Sequence, residues 1–188
     1  AGGGVVFENA YCNYPLCAPS RMCFMSGREP YEIAAWANQS VLPSDTPTFA
    51  HALGQVGYEV ALCGRMHFNG PDQRHGFQKR IFPEVSGYAV GGLTNTMKFE
   101  RTSMEKSGPG RNHYLLYDRD CATAARRYLE AFAYGASERP LCLVVGFVGP
   151  HCPFVCPEAE FERYWEAVEL QDYAPEYLAG RHPYSRRY

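Results

Sequence analysis

The sequence predicts an α/β fold, and three observations carry that expectation. A helix punctuated by Thr46 and Pro47 runs through a glycine turn at Gly57 into a short apolar strand, Tyr58–Cys63. Further on, Cys121, Ala124, Ala125, Tyr128, Leu129 and Phe132 fall at the i, i+3, i+4, i+7, i+8 and i+11 places of one helical face. After Arg139-Pro140, the run Leu141–Val148 carries no charged side chain, as a parallel strand covered on both faces would. Helices alternating with such strands pack as layers on a parallel sheet.

The elements follow in order. Asn9–Tyr31 opens as loop, with Pro15 and Pro19, and then reads as a short helix through Arg21-Met22-Cys23-Phe24-Met25 ending at Gly27. In the next helix Thr46 is the expected cap and Pro47 suits the first turn. Phe49, Leu53 and Val56 share its buried face, and Gly57 stops it. Gly64 breaks the strand that follows. Ser86–Gly110, with six of its residues Gly or Pro, reads as a long irregular excursion. Glu158–Val168 is expected as a peripheral helix, and the basic, aromatic stretch Arg181–Tyr188 has no stop signal.

Composition narrows the function. The 188 residues carry 18 Lys+Arg against 20 Asp+Glu, a balance that lacks the basic excess of a nucleic-acid clamp. Hydrophobic residues reach 46% and aromatics 14%, which fits one packed core rather than a disordered tail. No run of about 18 apolar residues exists to span a membrane. Several of the eight cysteines sit inside apolar runs, as buried thiols do, and this favours a reducing, cytoplasmic setting. The Ala1-Gly2-Gly3-Gly4 opening is no secretory signal, and it reads as entering in mid-pattern.

Three places combine reactive side chains with strand ends or helix starts. In Cys17-Ala18-Pro19-Ser20-Arg21 a cysteine precedes a helix N-terminus with an Arg four residues on, an arrangement suited to negative charge or, equally, a buried thiol beside a cap. Cys63-Gly64-Arg65-Met66-His67 leaves a strand at the end where α/β sheets bind ligands. Alternation along an extended segment would put Arg65 and His67 on one side. Gly149-Pro150-His151-Cys152-Pro153 leaves another strand with a stiffly held His, suited to acid–base work or to an ordinary turn. His151, Cys152 and Cys156 lack a fourth zinc partner at familiar spacing. Two Arg, two His and a Cys gathered together would make a cationic pocket for a sulfate or phosphate ester.

These residues also carry a resemblance. Asn9-Ala10-Tyr11-Cys12-Asn13-Tyr14-Pro15-Leu16-Cys17-Ala18-Pro19-Ser20-Arg21, followed by Met25-Ser26-Gly27-Arg28, resembles the modification signature of the type I sulfatases. In that family a maturation enzyme oxidises the Cys of Cys-x-Pro-Ser-Arg to formylglycine. Gly64-Arg65-Met66-His67-Phe68 resembles the family's Gly-Lys-x-His segment, and Pro150-His151-Cys152-Pro153-Phe154 its Pro-His-x-Pro-Phe segment. The stretch Met66–Phe77 looks most like choline-sulfatases.

The resemblance implies an alkaline-phosphatase-like α/β sandwich with a mainly parallel sheet, present here as a partial domain. It implies sulfuric ester hydrolysis of a small sulfate ester, such as choline O-sulfate, through a formylglycine made from Cys17. Arg21 would hold the hydrated aldehyde, Arg65 would bridge it to a sulfate oxygen, His67 would take a proton from it, and His151 would contact sulfate and protonate the leaving alcohol. His75, beside a Gly-Phe turn, reads as structural.

Where the family has Lys the chain has Arg65, a planar fork in place of a compact ammonium. The family also uses Ca²⁺ or Mg²⁺, with Cys17 as formylglycine supplying one or two of about six oxygens. Asp45, Asp72, Asp118, Asp120 and Asp172 match none of its metal motifs. The expectation is therefore residues 1–188 of an incomplete N-terminal catalytic domain, inactive alone, its other metal ligands lying outside the chain. Expected partners are the sulfate ester and the maturation enzyme, with no nucleic acid and no membrane, and homo-oligomerisation left open. Two alternatives stand: a phosphonate monoester or phosphodiester hydrolase of the same superfamily, and a catalytically incomplete anion-binding remnant.

Overall fold

The computed structural model describes residues 2–85, 105–135, 137–169 and 174–183. Most of the excursion expected at Ser86–Gly110, the end of the Arg181–Tyr188 stretch, and Asp172 lie outside the described residues. Three parallel strands, β1 (Glu59–Gly64), β2 (Lys79–Phe82) and a later strand at Leu141–Gly146, form a sheet in which β1 is central. The Leu141–Gly146 strand pairs with β1 in unbroken register from Glu59↔Leu141 to Gly64↔Gly146. A two-residue strand, β3 (Gly108–Pro109), precedes it in the chain, so Leu141–Gly146 is β4. β3 pairs in parallel with β5 (Val155–Cys156), two short segments with no periodic pattern to announce them.

Helices cover both faces of the sheet. Val60 and Leu62 of β1 pack with Met25, Ala50, Met66, Phe68 and Phe77, the side of α1 (Cys17–Ser26) and α2 (Phe49–Gln55). Cys63 turns the other way, onto Tyr117, Cys121 and Ala125 of α3 (His113–Tyr134). β4 splits likewise, Cys142 and Val144 to one core, Leu143 and Val145 to the other. Its apolar residues stay half-buried because β4 is an edge of the described sheet; the fully covered strand is β1. The Leu141–Val148 run thus supplies a parallel strand that meets a core on each face, as expected, with its strand ending at Gly146. A third cluster, with Ala18, Met22, Cys23, Ile33 and Leu42, fixes α1 from its other side.

Several boundaries differ from the sequence pattern. α1 begins a turn earlier than the Arg21–Met25 run suggests, so Cys17 is its first residue and not a residue ahead of it. It stops where expected, at Gly27, whose positive φ of 67° lets its N–H reach Cys23 O. The cap of α2 is Thr48, not Thr46: His51 closes a reciprocal capping box with it, and Thr48 Oγ1 also donates to His75 O at 2.7 Å. Val56, 71% exposed, lies off the buried face. α3 starts at the Asn112 cap, whose side chain accepts Leu115 N at 3.0 Å, and buries Tyr117 before the Cys121 face begins. Leu129 is exposed, while the Tyr128 hydroxyl bonds the Glu59 carboxylate. The peripheral helix α4 (Glu158–Trp165) buries no residue, and α5 (Pro175–Ala179) follows it. No described helix is long and apolar enough to cross a membrane. None of the eight cysteines is in a disulfide.

Candidate active site

Cys17 stands half-buried in the first turn of α1, where backbone N–H groups have no helical acceptor. Ala18 N finds one in Asn38 Oδ1 at 3.0 Å. The carbonyls of Asn38 and Ser40 in turn accept from Asn69 Nδ2 at 2.7 and 2.8 Å. The start of α1 is thereby tied to the segment that leaves β1. One turn along, Arg21 reaches the same segment: its Nη1 donates to Arg65 O at 3.2 Å. Burial and the neighbouring Arg65 guanidinium lower the Arg21 pKa, while Glu84 and Cys17 oppose them.

Arg65 is 8% exposed, which for an arginine requires a built environment. Its N–H continues the β1–β4 ladder by donating to Gly146 O at 2.8 Å. Two glycines permit that approach. Gly64 has φ +91°, and a Cβ on Gly146 would run into the Arg65 carbonyl. The chain then bends. His67 adopts φ +61°, so Arg65 and His67 reach the site through a left-handed turn and not by alternation along an extended segment, as the sequence suggested.

That turn is held by a residue the motifs did not single out. Glu84, just beyond β2, accepts Met66 N at 3.0 Å and His67 N at 2.9 Å on a single carboxylate oxygen, Oε2. Arg80 Nη2 donates to the same oxygen and to Gly64 O, both at 3.2 Å. His67 Nδ1 is buried with no protein partner, an arrangement that leaves a ring nitrogen for a ligand. Burial depresses the His67 pKa, and Arg65, Arg21 and His151 act in the same direction against Glu84. The neutral imidazole, the form that accepts a proton, is therefore favoured.

His151 comes from the segment leaving β4. Asp118 of α3 holds that segment by accepting Val148 N at 2.7 Å and Gly149 N at 2.8 Å. The His151 ring lies edge-on to Tyr114, centroids 6.1 Å apart, and its Nδ1 bonds Cys152 O at 2.8 Å. A carbonyl only accepts, so Nδ1 carries the hydrogen and Nε2 is the basic nitrogen. The two strand exits face one another electrostatically: His151 acts on His67, and Arg65 acts on the Tyr114 hydroxyl. Beside the first exit opens a cleft of about 430 Å³ lined by Phe68, Asn69, Gln73, Arg80 and Glu84.

Each sequence-chosen residue thus has a place. Cys17 and Arg21 lie one turn apart on α1, Arg21 touches the backbone of Arg65, and Arg65 and His151 act on His67. His75 is buried behind them, Nδ1 3.4 Å from Asp72 Oδ2 and its ring against Phe68. Glu84, Asp118 and Tyr114 were missed. For Glu84 there was one signal, a carboxylate just past a strand C-terminus.

The described carboxylates do not fit a hard dication. Asp72 accepts Arg74 N and His75 N, Asp118 holds two amides, Asp120 pairs with Arg119, and Glu84 takes three donors. Asp45 is exposed. No group of three or more His, Cys, Asp or Glu among the described residues could hold a metal, the His151/Cys152/Cys156 set included.

Comparison with known proteins bears on the family and the fold. A family model described as Sulfatase matches residues 1–176. Choline-sulfatase of Rhizobium meliloti is 34% identical over 176 residues, covering 87% of this chain and 34% of that protein. Arylsulfatase J of Mus musculus is 27% identical over 192 residues, covering 90% and 30%. The chain thus spans about a third of the length of these curated relatives. Among solved structures, a phosphonate monoester hydrolase from Silicibacter pomeroyi superposes with a TM-score of 0.59 at 18% identity, over 94% of this chain and 41% of that one. The fold is that of the alkaline-phosphatase-like sandwich, here a partial domain. On the match across residues 1–176, the chain belongs to the sulfatase family.

Proposed function

We propose that this chain carries the nucleophile and anion-binding part of a sulfuric ester hydrolase whose nucleophile is a formylglycine made from Cys17. The observation that carries the reading is Arg21: one turn from Cys17, with its guanidinium against the Arg65 carbonyl. That contact gathers the modification segment and the β1 exit at one cationic place. The hydrated aldehyde offers two hydroxyls. One hydroxyl attacks sulfur through its oxygen, forming the new O–S bond while the ester O–S bond breaks. Its own proton passes to solvent, from which His151 is protonated again for the next turnover. His151 Nε2, as the imidazolium, gives its proton to the departing alcohol, and Arg21 and Arg65 hold the sulfate oxygens. The second hydroxyl then yields its proton to His67, its C=O bond forms, and the bond to sulfate breaks. Water rehydrates the aldehyde. The sum is ester plus water to alcohol plus hydrogen sulfate.

A divalent cation, Ca²⁺ or Mg²⁺, belongs to the proposal as a family property, with the modified Cys17 as one ligand and the rest outside the described residues. Since the described donors do not fit it, no step above runs through it. The substrate proposed is a small sulfate ester, choline O-sulfate first, on the strength of the similarity to a choline-sulfatase. The formylglycine-generating enzyme is the proposed maturation partner. A cytoplasmic setting is proposed from the cysteines that lie inside apolar runs, such as Cys63 and Cys142.

To test this, the full-length protein is co-expressed with a formylglycine-generating enzyme, and the peptide spanning Cys17 is weighed. The expected result is the mass of the aldehyde or its hydrate, with turnover of an aryl sulfate exceeding that of an aryl phosphonate. A thiol in every molecule would overturn the nucleophile. Preference for the phosphonate would move the protein to the sister chemistry.

A further inference from the structure

We infer that Glu84 is a positioning residue for the catalytic turn at Arg65–His67, a role that rests on the sulfatase reading for its consequence but not for its geometry. One oxygen of a carboxylate only 12% exposed accepts two successive backbone amides and a guanidinium. Bonds to an ionised acceptor are about twice as strong as neutral ones, and they fix direction as well as distance. Accepting both Met66 N and His67 N turns those two peptide planes toward one point. His67 is one of three described non-glycine residues at positive φ, at +61°, a conformation that costs an L-residue some strain. The clamp is what keeps it there.

The same carboxylate anchors the surroundings. Arg80, bonded to it, also donates to Gly64 O and to Gln73 O, so the start of the turn and the wall of the adjoining cleft share one network. All three donors, Met66 N, His67 N and Arg80 Nη2, fall on Oε2 of Glu84. Its charge has a second effect. The charged groups facing His67 are Arg65 of the same turn, Arg21 of α1, His151 from the β4 exit, and Glu84 from the β2 exit; only Glu84 favours the imidazolium. It therefore moderates how far the other three disfavour that form.

The test uses the full-length, matured protein and Glu84→Gln, with Glu158→Gln on the exposed face of α4 as control. In ¹⁵N-labelled protein the substitution is expected to move the Met66 and His67 amide resonances upfield and to speed their hydrogen exchange about tenfold or more, the value of a charged hydrogen bond. The control leaves both unchanged. With an aryl sulfate, kcat falls and the acid limb of its pH profile moves to lower pH, because the neighbour favouring protonated His67 has lost its charge. Unaltered amides in Glu84→Gln overturn the clamp whatever the kinetics show. An unsubstituted enzyme that turns over no sulfate ester counts against the sulfatase reading alone, and the amides still decide the clamp. Should Glu84→Gln fail to fold, the unsubstituted protein is titrated with acid. A shared midpoint for the two amides supports the clamp, and separate or absent transitions overturn it.

Discussion

The exits of β1 and β4 solve the same problem with the same device. Each must place a histidine beyond a strand end, and each is held by a carboxylate accepting two successive backbone amides. Glu84 takes Met66 N and His67 N; Asp118 takes Val148 N and Gly149 N. The difference lies in where the grip falls. Glu84 holds His67 by its own amide, in a left-handed turn beside an arginine 8% exposed. Asp118 grips two and three residues ahead of His151, whose ring is oriented by Tyr114 and by the Cys152 carbonyl. His67 is gripped by a carboxylate on its own amide, whereas the His151 amide donates to Val148 O at 3.1 Å and its ring is oriented by Tyr114 and the Cys152 carbonyl. Under the proposed mechanism this suits a base that receives a proton from an enzyme-bound group, and an acid that must meet leaving alcohols of different shape.

The comparison is open to attack at several points. The largest effect is expected at the glycines. Gly146→Ala forces a methyl into the Arg65 carbonyl and should cost about 4 kcal/mol or more of stability. Gly149→Ala meets Asp118 Oδ2 at 3.0 Å, a side chain able to give slightly, and should cost about 1 kcal/mol. Denaturant midpoints of the two variants measure this, and equal losses would erase the distinction between the exits. Next come the histidines. His67→Ala is expected to lower kcat about a thousandfold and His151→Ala about a hundredfold. Only the second loss should grow as the leaving alcohol of a graded aryl sulfate series becomes more basic. Asp118→Asn should destabilise by about 1–3 kcal/mol and shift the Val148 and Gly149 amides while leaving those of Met66 and His67 in place.

The smallest effect is on pH. Burial lowers the pKa of His67 and of His75 in the folded chain. Between those lowered values and the ordinary value of about 6.5, the unfolded chain holds more protons. Their contribution to stability is therefore full above about pH 6.5 and declines as pH falls from there through the folded values. Thermal melts between pH 7.5 and 5.5 should show the decline, and His67→Asn should flatten it.

Much of this site was legible in the sequence because its parts are local. The Cys17–Arg21 spacing spans a single helical turn, and the Arg65 and His151 segments each follow an apolar strand with a glycine. The parallel sheet was legible from Leu141–Val148, whose strand meets a core on each face; that β1 is the central strand of the described sheet was not, because an apolar run does not say which strand has neighbours on both edges. What escaped was made by contacts between distant residues. Glu84 acts across 17 residues on His67, and Asp118 across 30 on Val148. Neither leaves a periodic trace. Thr48 displaced Thr46 as a cap because His51, a neighbour only once the helix forms, answers it. The left-handed turn at His67 was hidden too, since histidine tolerates that conformation without signalling it as a glycine would.

The central claim is that the α1 start and the two strand exits converge on one sulfate beside residue 17. A crystal structure of the full-length, matured protein soaked with inorganic sulfate measures it directly. The account predicts a single sulfate against the formylglycine at position 17, with Arg21, Arg65, His67 and His151 all within hydrogen-bond reach of it or of the aldehyde hydrate. Sulfate bound elsewhere, or Arg65 or His151 turned away from residue 17, would contradict the account.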